Sequence, residues 1–192
     1  LTPPQDLDLG TVVVRLGATV TGTIRLAGGG SPSGVTVRAE LQPIWSGPGV
    51  TGVVASDGSY TLSGIAPGTY QIIATGPWGT DYLETRYADA AGSNDLTVAD
   101  GDALTGLNIT LPIGGSISGT VTSEAGQPIA NAWVSLTPAA GATPTPYYTT
   151  ADANGVYTIH AVAPGSYAVR ASGQGFEGEY YHNAFGLWDA TW

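Results

Sequence analysis

The residue types that carry most enzyme chemistry are scarce in this chain. It has two histidines, His160 and His182, and no cysteine, which removes thiolate nucleophiles, disulfides and thiolate metal sites. Neither a GxSxG nor an HExxH pattern occurs, so the usual local signatures of an activated serine or a catalytic zinc are missing. Asp100-Gly101-Asp102 and Asp152-Ala153-Asn154-Gly155 offer oxygen donors, but neither has the spacing and closing Glu of an EF-hand, and tight turns account for both. Asn108-Ile109-Thr110 fits an N-glycosylation acceptor, yet the alternation around it predicts a strand. No catalytic residue, metal site or cofactor is expected.

Aromatic side chains are the remaining chemical resource. Tyr180, Tyr181 and Trp188 fall in an aromatic-rich C-terminal stretch, and Trp78 and Tyr82 stand at matching places earlier in the chain. Flat rings stack on sugars, so a glycan-binding accessory module with polysaccharide as partner is one reading. The structural reading is that these rings pack under loops and cover the end of the fold.

Composition narrows the partners further. Fifteen acids against five arginines give a formal charge of −10, so a polyanion is repelled and nucleic acid is not expected as a partner. No apolar run approaches the roughly 18 to 20 residues of a membrane helix, and no membrane span is expected. The chain begins at Leu1 and has no Met, as either a processed product or a piece of something longer would. Gly (29) and Pro (13) with abundant Thr and Val favour strands joined by tight turns.

The elements that these residues ride on occur twice. Residues 60–76 read YTLSGIAPGTYQIIATG and residues 157–173 read YTIHAVAPGSYAVRASG, 97 positions apart. The same offset sets Gly22-Thr23-Ile24 on Gly119-Thr120-Val121 and Val35 and Val37 on Ala132 and Val134. A period of this length suits a whole sandwich domain rather than a solenoid unit. The expected division is an N-terminal strand arm at residues 1–16, one β-sandwich repeat at 17–112 and a second, incomplete one at 113–192. Apolar residues alternate at period 2, Asp57-Gly58 and Asn154-Gly155 predict hairpin turns, and residues 60–74 read as a hairpin turning at Ala66-Pro67-Gly68.

The order GxIxGTV, VxV, an Asp-Gly or Asn-Gly turn, YxLxGIxPGxY and a terminal apolar strand resembles the carboxypeptidase regulatory-like, or prealbumin-like, family, which includes the Cna-B-type repeats of bacterial surface proteins. The resemblance implies an all-β fold of two tandem seven-stranded antiparallel sandwiches, extracellular or on the cell surface, serving as stalk or accessory module. Some Cna-B-type domains carry a Lys-to-Asn or Lys-to-Asp isopeptide bond. This chain has no Lys, its five cations being Arg15, Arg25, Arg38, Arg86 and Arg170, so that crosslink is excluded.

The offset also exposes a mismatch between the two ends. The first repeat closes with Leu107, Ile109 and Leu111 facing inward, and nothing in the second repeat corresponds to residues 99–111. Residues 7–16, LDLGTVVVRL, precede the first repeat as residues 104–113 precede the second, with Val12 laid on Ile109 and Val14 on Leu111. The expectation is a non-enzymatic structural protein in which Leu7, Leu9, Val12, Val14 and Leu16 of one copy complete the second sandwich of its neighbour, head to tail. In a longer array of repeats the same strand would belong to the preceding repeat of its own chain.

Overall fold

A computed structural model describes residues 10, 11, 13–43, 49–138 and 147–181, and these are all β, with no helix among them. The first half contains β1 (Ala18–Leu26), β2 (Thr36–Leu41), β3 (Val50–Val53), β4 (Ser59–Ile65), β5 (Gly68–Thr75), β6 (Thr85–Arg86), β7 (Asp95–Val98), β8 (Ala103–Leu104) and β9 (Ile109–Leu111). One sheet runs β4-β1, with β8 and β9 laid parallel along the second edge of β1. The other runs β3-β2-β5, with β6 and β7 both antiparallel to β5. Between them lies one buried cluster that includes Val20, Val37, Leu62, Ile72, Ile109 and Leu111.

The second half contains β10 (Gly115–Thr120), β11 (Trp133–Pro138), β12 (Tyr147–Thr150), β13 (Val156–Val162), β14 (Tyr167–Ser172) and β15 (Glu179–Tyr180). It repeats the first register for register. Gly22 faces Tyr60 and Gly119 faces Tyr157; Thr36 faces Thr75 and Trp133 faces Ser172. Its sheets are β10-β13 and β12-β11-β14-β15 around a separate cluster of Val134, Leu136, Ile159 and Val162.

Two expectations require correction. Residues 60–74 are not a hairpin: β4 pairs with β1 and β5 with β2, so Ala66-Pro67-Gly68 carries the chain from one sheet to the other. Alternation reports which side chains face the core, and Leu62 and Ile72 face the same core from opposite layers. The Asp-Gly and Asn-Gly turns form, with Gly58 at φ 89° and Gly155 at φ 74°, but they also join strands of different sheets. The first half has nine strands among its described residues, because turns at Gly92, Gly101 and Gly106, all at positive φ, break the segment after β5 into short pieces. Asp102 serves one such turn by accepting the Ala99 N–H at 2.8 Å, and Asp152 serves the later turn by accepting the Asn154 and Val156 N–H groups.

Candidate strand-acceptor groove

The site is defined by how the first half closes. β9 lies parallel to β1, Ile109 opposite Ile24 and Leu111 opposite Leu26. Its approach is fixed by polar contacts as well as apolar ones. Tyr60 donates its hydroxyl to the Leu107 carbonyl at 2.6 Å, and the Leu107 N–H donates to the Thr21 carbonyl at 3.1 Å. Asn108 Oδ1 accepts from the Thr23 N–H at 3.0 Å and from the Thr23 hydroxyl at 2.7 Å. Gly22 is required beneath this arrangement, because a Cβ there would run into the Leu107 carbonyl and the Tyr60 ring. Burial pushes the Tyr60 hydroxyl well above the usual tyrosine range, with Tyr87 adding to the effect.

Among its described residues, the second half presents the same wall without the strand. Among the described residues β10 pairs only with β13. Several side chains that are buried in the first half are half-open in the second. Val20, Tyr60, Ile72 and Ala74 lie at 0 to 3% exposure, whereas their counterparts Ile117, Tyr157, Val169 and Ala171 are only partly buried. Val134 and Ile159 stay buried, like Val37 and Leu62, while Tyr167, the counterpart of buried Tyr70, is also half-open. The opening is a groove of about 670 Å³ lined by Thr120, Val121, Tyr157, Val169, Ala171 and Tyr180, among others. Tyr157 stands over Gly119 as Tyr60 stands over Gly22, and burial, then Tyr181, raises its hydroxyl pKa.

The sequence-predicted residues distribute unevenly. Leu7, Leu9 and Val12 lie outside the described residues. Val14 and Leu16 are 87% and 79% exposed, and residues 10, 11 and 13–17 form no strand. Arg15 meets the body of its own chain 3.2 Å from Asp100, and none of the described arm residues lines the groove. Of the aromatic candidates, Tyr180 and Tyr181 line the groove. Trp78 is 99% exposed on a loop, and Tyr82 packs against the first core and bridges to Ile113. Neither joins the groove, so the five proposed sugar-contact residues do not form one platform; Trp188, like His182, lies outside the described residues.

Some contacts were not read from the sequence. Trp133 and Tyr148 stack at 4.6 Å and 18° on the outer face of the second half, where the offset places Thr36 and Thr51 in the first. Asp81 Oδ1 lies 2.9 Å from His160 Nδ1 and accepts the Ala161 N–H at 3.4 Å, joining the two halves. The Tyr60 and Tyr157 hydroxyls were signalled by the repeat itself, but nothing in the repeated phrase says that one of them grips a carbonyl 47 residues away.

Residues 116–185 match the family described as the carboxypeptidase regulatory-like domain. That match lies within the second repeat and covers well under half of the chain. Several solved structures match at low identity and low TM-score. They include the TIE protein of Bacillus anthracis (14% identity, 82% of this chain and 28% of that one, TM-score 0.37). A streptococcal ancillary pilin (12%, 80% and 53%, 0.34) and the shaft pilin SpaA of Lactobacillus rhamnosus (10%, 90% and 95%, 0.34) are others. The chain spans about a quarter of the first of these and about half of the second. No curated protein matches the chain in sequence. Among the described residues, no helix is long and apolar enough to cross a membrane.

Proposed function

We propose that this chain is a non-catalytic structural module of a surface or secreted protein, in which the arm at residues 7–16 of one copy fills the groove of the second repeat of the next. The observation that carries this reading is the opening of the second core beside the vacant strand position. Ile24 and Tyr60, buried in the first half, lie against β9 and the residue Leu107 that leads into it, and their counterparts Val121 and Tyr157 are half-open in the second. The arm is the segment that the 97-residue offset lays on β9, and Val14 and Leu16 stand in solvent in the single chain. Strand addition to an open edge supplies backbone hydrogen bonds for affinity and side-chain pockets for specificity. Repeated head to tail it does not close, and a fibre results.

The test is deletion of residues 1–16. The intact chain should form linear assemblies in electron micrographs and light scattering, and the deleted chain should be monomeric; filaments that persist after deletion sink the proposal. A glycan-binding role is favoured only by Tyr180 and Tyr181 in the groove. It predicts that an immobilised polysaccharide retards the protein in a gel and that Tyr180→Ala abolishes the retardation.

A further inference from the structure

We infer, on the strand-acceptor reading above, that the groove accepts the arm in one parallel register only. In that register Val13 lies directly opposite Thr122, Val14 opposite Ser123, and the Tyr157 hydroxyl donates to the Gly10 carbonyl. The first half supplies the template. There Thr110 faces Arg25 and Leu111 faces Leu26, and the offset of 97 carries Arg25 to Thr122, Leu26 to Ser123, Thr110 to Val13, Leu111 to Val14 and Leu107 to Gly10.

Three features exclude the neighbouring registers. A slip of one residue turns the inward pair outward, because side chains alternate along a strand. A slip of two keeps the apolar face but changes the length of chain between the donated strand and the sandwich it leads into. That length is tightly constrained in the first half, where β9 runs through residues 112–114 to β10. A Cβ on Gly114 would come within 2.6 Å of both the Leu83 side chain and the Val162 carbonyl, and the Leu83 N–H donates to the Pro112 carbonyl at 2.9 Å. The offset places Gly17 on Gly114, and Gly17 is equally closed, its Cβ position lying 2.5 Å from Gly64. The third feature is polar. Tyr157 lies over Gly119 as Tyr60 lies over Gly22, but its hydroxyl rests 2.7 Å from the Gly119 Cβ position, the side on which the Leu107 carbonyl meets Gly22, and it swings outward to donate to the incoming Gly10 carbonyl. Thr11 takes the place of Asn108 facing the counterpart of Thr23, which is Thr120. The arm departs from its template at Gly10, which offers the carbonyl but not the side chain of Leu107.

Because the chain has no cysteine, crosslinking can read the register directly in the full-length protein. Thr122→Cys protein is mixed with Val13→Cys protein, or with Thr11→Cys or Arg15→Cys protein, under mild oxidation. Arg25 and Thr110, the template pair, are both exposed, so the cysteines lie on the solvent side and leave the core intact. Directly opposed Cα atoms are about 5 Å apart and those two residues out of step about 8 Å, beyond the roughly 7 Å that a disulfide spans. The Val13→Cys mixture should therefore give at least about tenfold more disulfide-linked dimer than either of the others. Equal or greater yield with Thr11→Cys or Arg15→Cys overturns the register while leaving strand donation in place. No crosslink with any partner, in a chain that is monomeric without cysteines, overturns strand donation and the register together.

Discussion

At the scale of single residues, the two copies of one tyrosine show what a missing strand does. Tyr60 is fully packed and donates to the Leu107 carbonyl. Its counterpart Tyr157 has the same glycine beneath it but is half-open. Tyr60→Phe should cost about 1 to 3 kcal/mol in chemical denaturation, because a buried carbonyl loses its donor. Tyr157→Phe should change the stability of the arm-deleted protein by less than about 0.5 kcal/mol. The pH dependence has a definite sign. The folded-state pKa of Tyr60 is raised, chiefly by burial, above its ordinary value near 10.0. The stability it contributes is therefore complete below about pH 10 and is lost as the pH rises above that value. Thermal melts of the first repeat should fall across this range, and the Tyr60→Phe protein should fall less. The tyrosines themselves were legible as repeated letters. Their role was not, since Leu107 is distant in sequence and a carbonyl leaves no mark on residue type.

At the scale of elements, alternation and offset were enough to place most strands and to say which side chains turn inward. Leu107, Ile109 and Leu111 are buried as their spacing requires, and β11 and β13 stand where β2 and β4 predict them. Pairing was less legible. A turn of Ala66-Pro67-Gly68 serves a hairpin or a crossing between layers equally well, and period 2 is the same in both sheets of a sandwich. The short strands β6 and β8 carry no periodicity to read. The last strand is also where energetic weight concentrates. Burying three apolar side chains contributes on the order of 5 to 9 kcal/mol, comparable to the net stability of a small domain. Leu111→Ala should accordingly cost about 2 to 5 kcal/mol in equilibrium unfolding. No single truncation of the side chains around the open groove, such as Val169→Ala, should reach that range in the arm-deleted chain.

At the scale of the whole molecule, the two halves meet through a small, directed junction. The Gly114 N–H donates to the Asp81 carbonyl at 2.7 Å, and the Leu83 N–H to the Pro112 carbonyl. Tyr82 and Ile113 form an antiparallel bridge, and the Asp81 carboxylate reaches His160 and the Ala161 N–H. Gly114→Val should force this contact apart, at a cost of about 1 to 3 kcal/mol, and widen the distribution of interdomain distances in small-angle scattering. The account as a whole rests on the second repeat being open along β10 until a strand of the arm's sequence arrives. The most direct measurement is hydrogen exchange on protein lacking residues 1–16, with and without a synthetic peptide of residues 7–16. The account predicts that the peptide slows exchange at residues 118–124 and raises the melting temperature of the second repeat, leaving the first unchanged. Unaltered exchange along β10 at saturating peptide would contradict it.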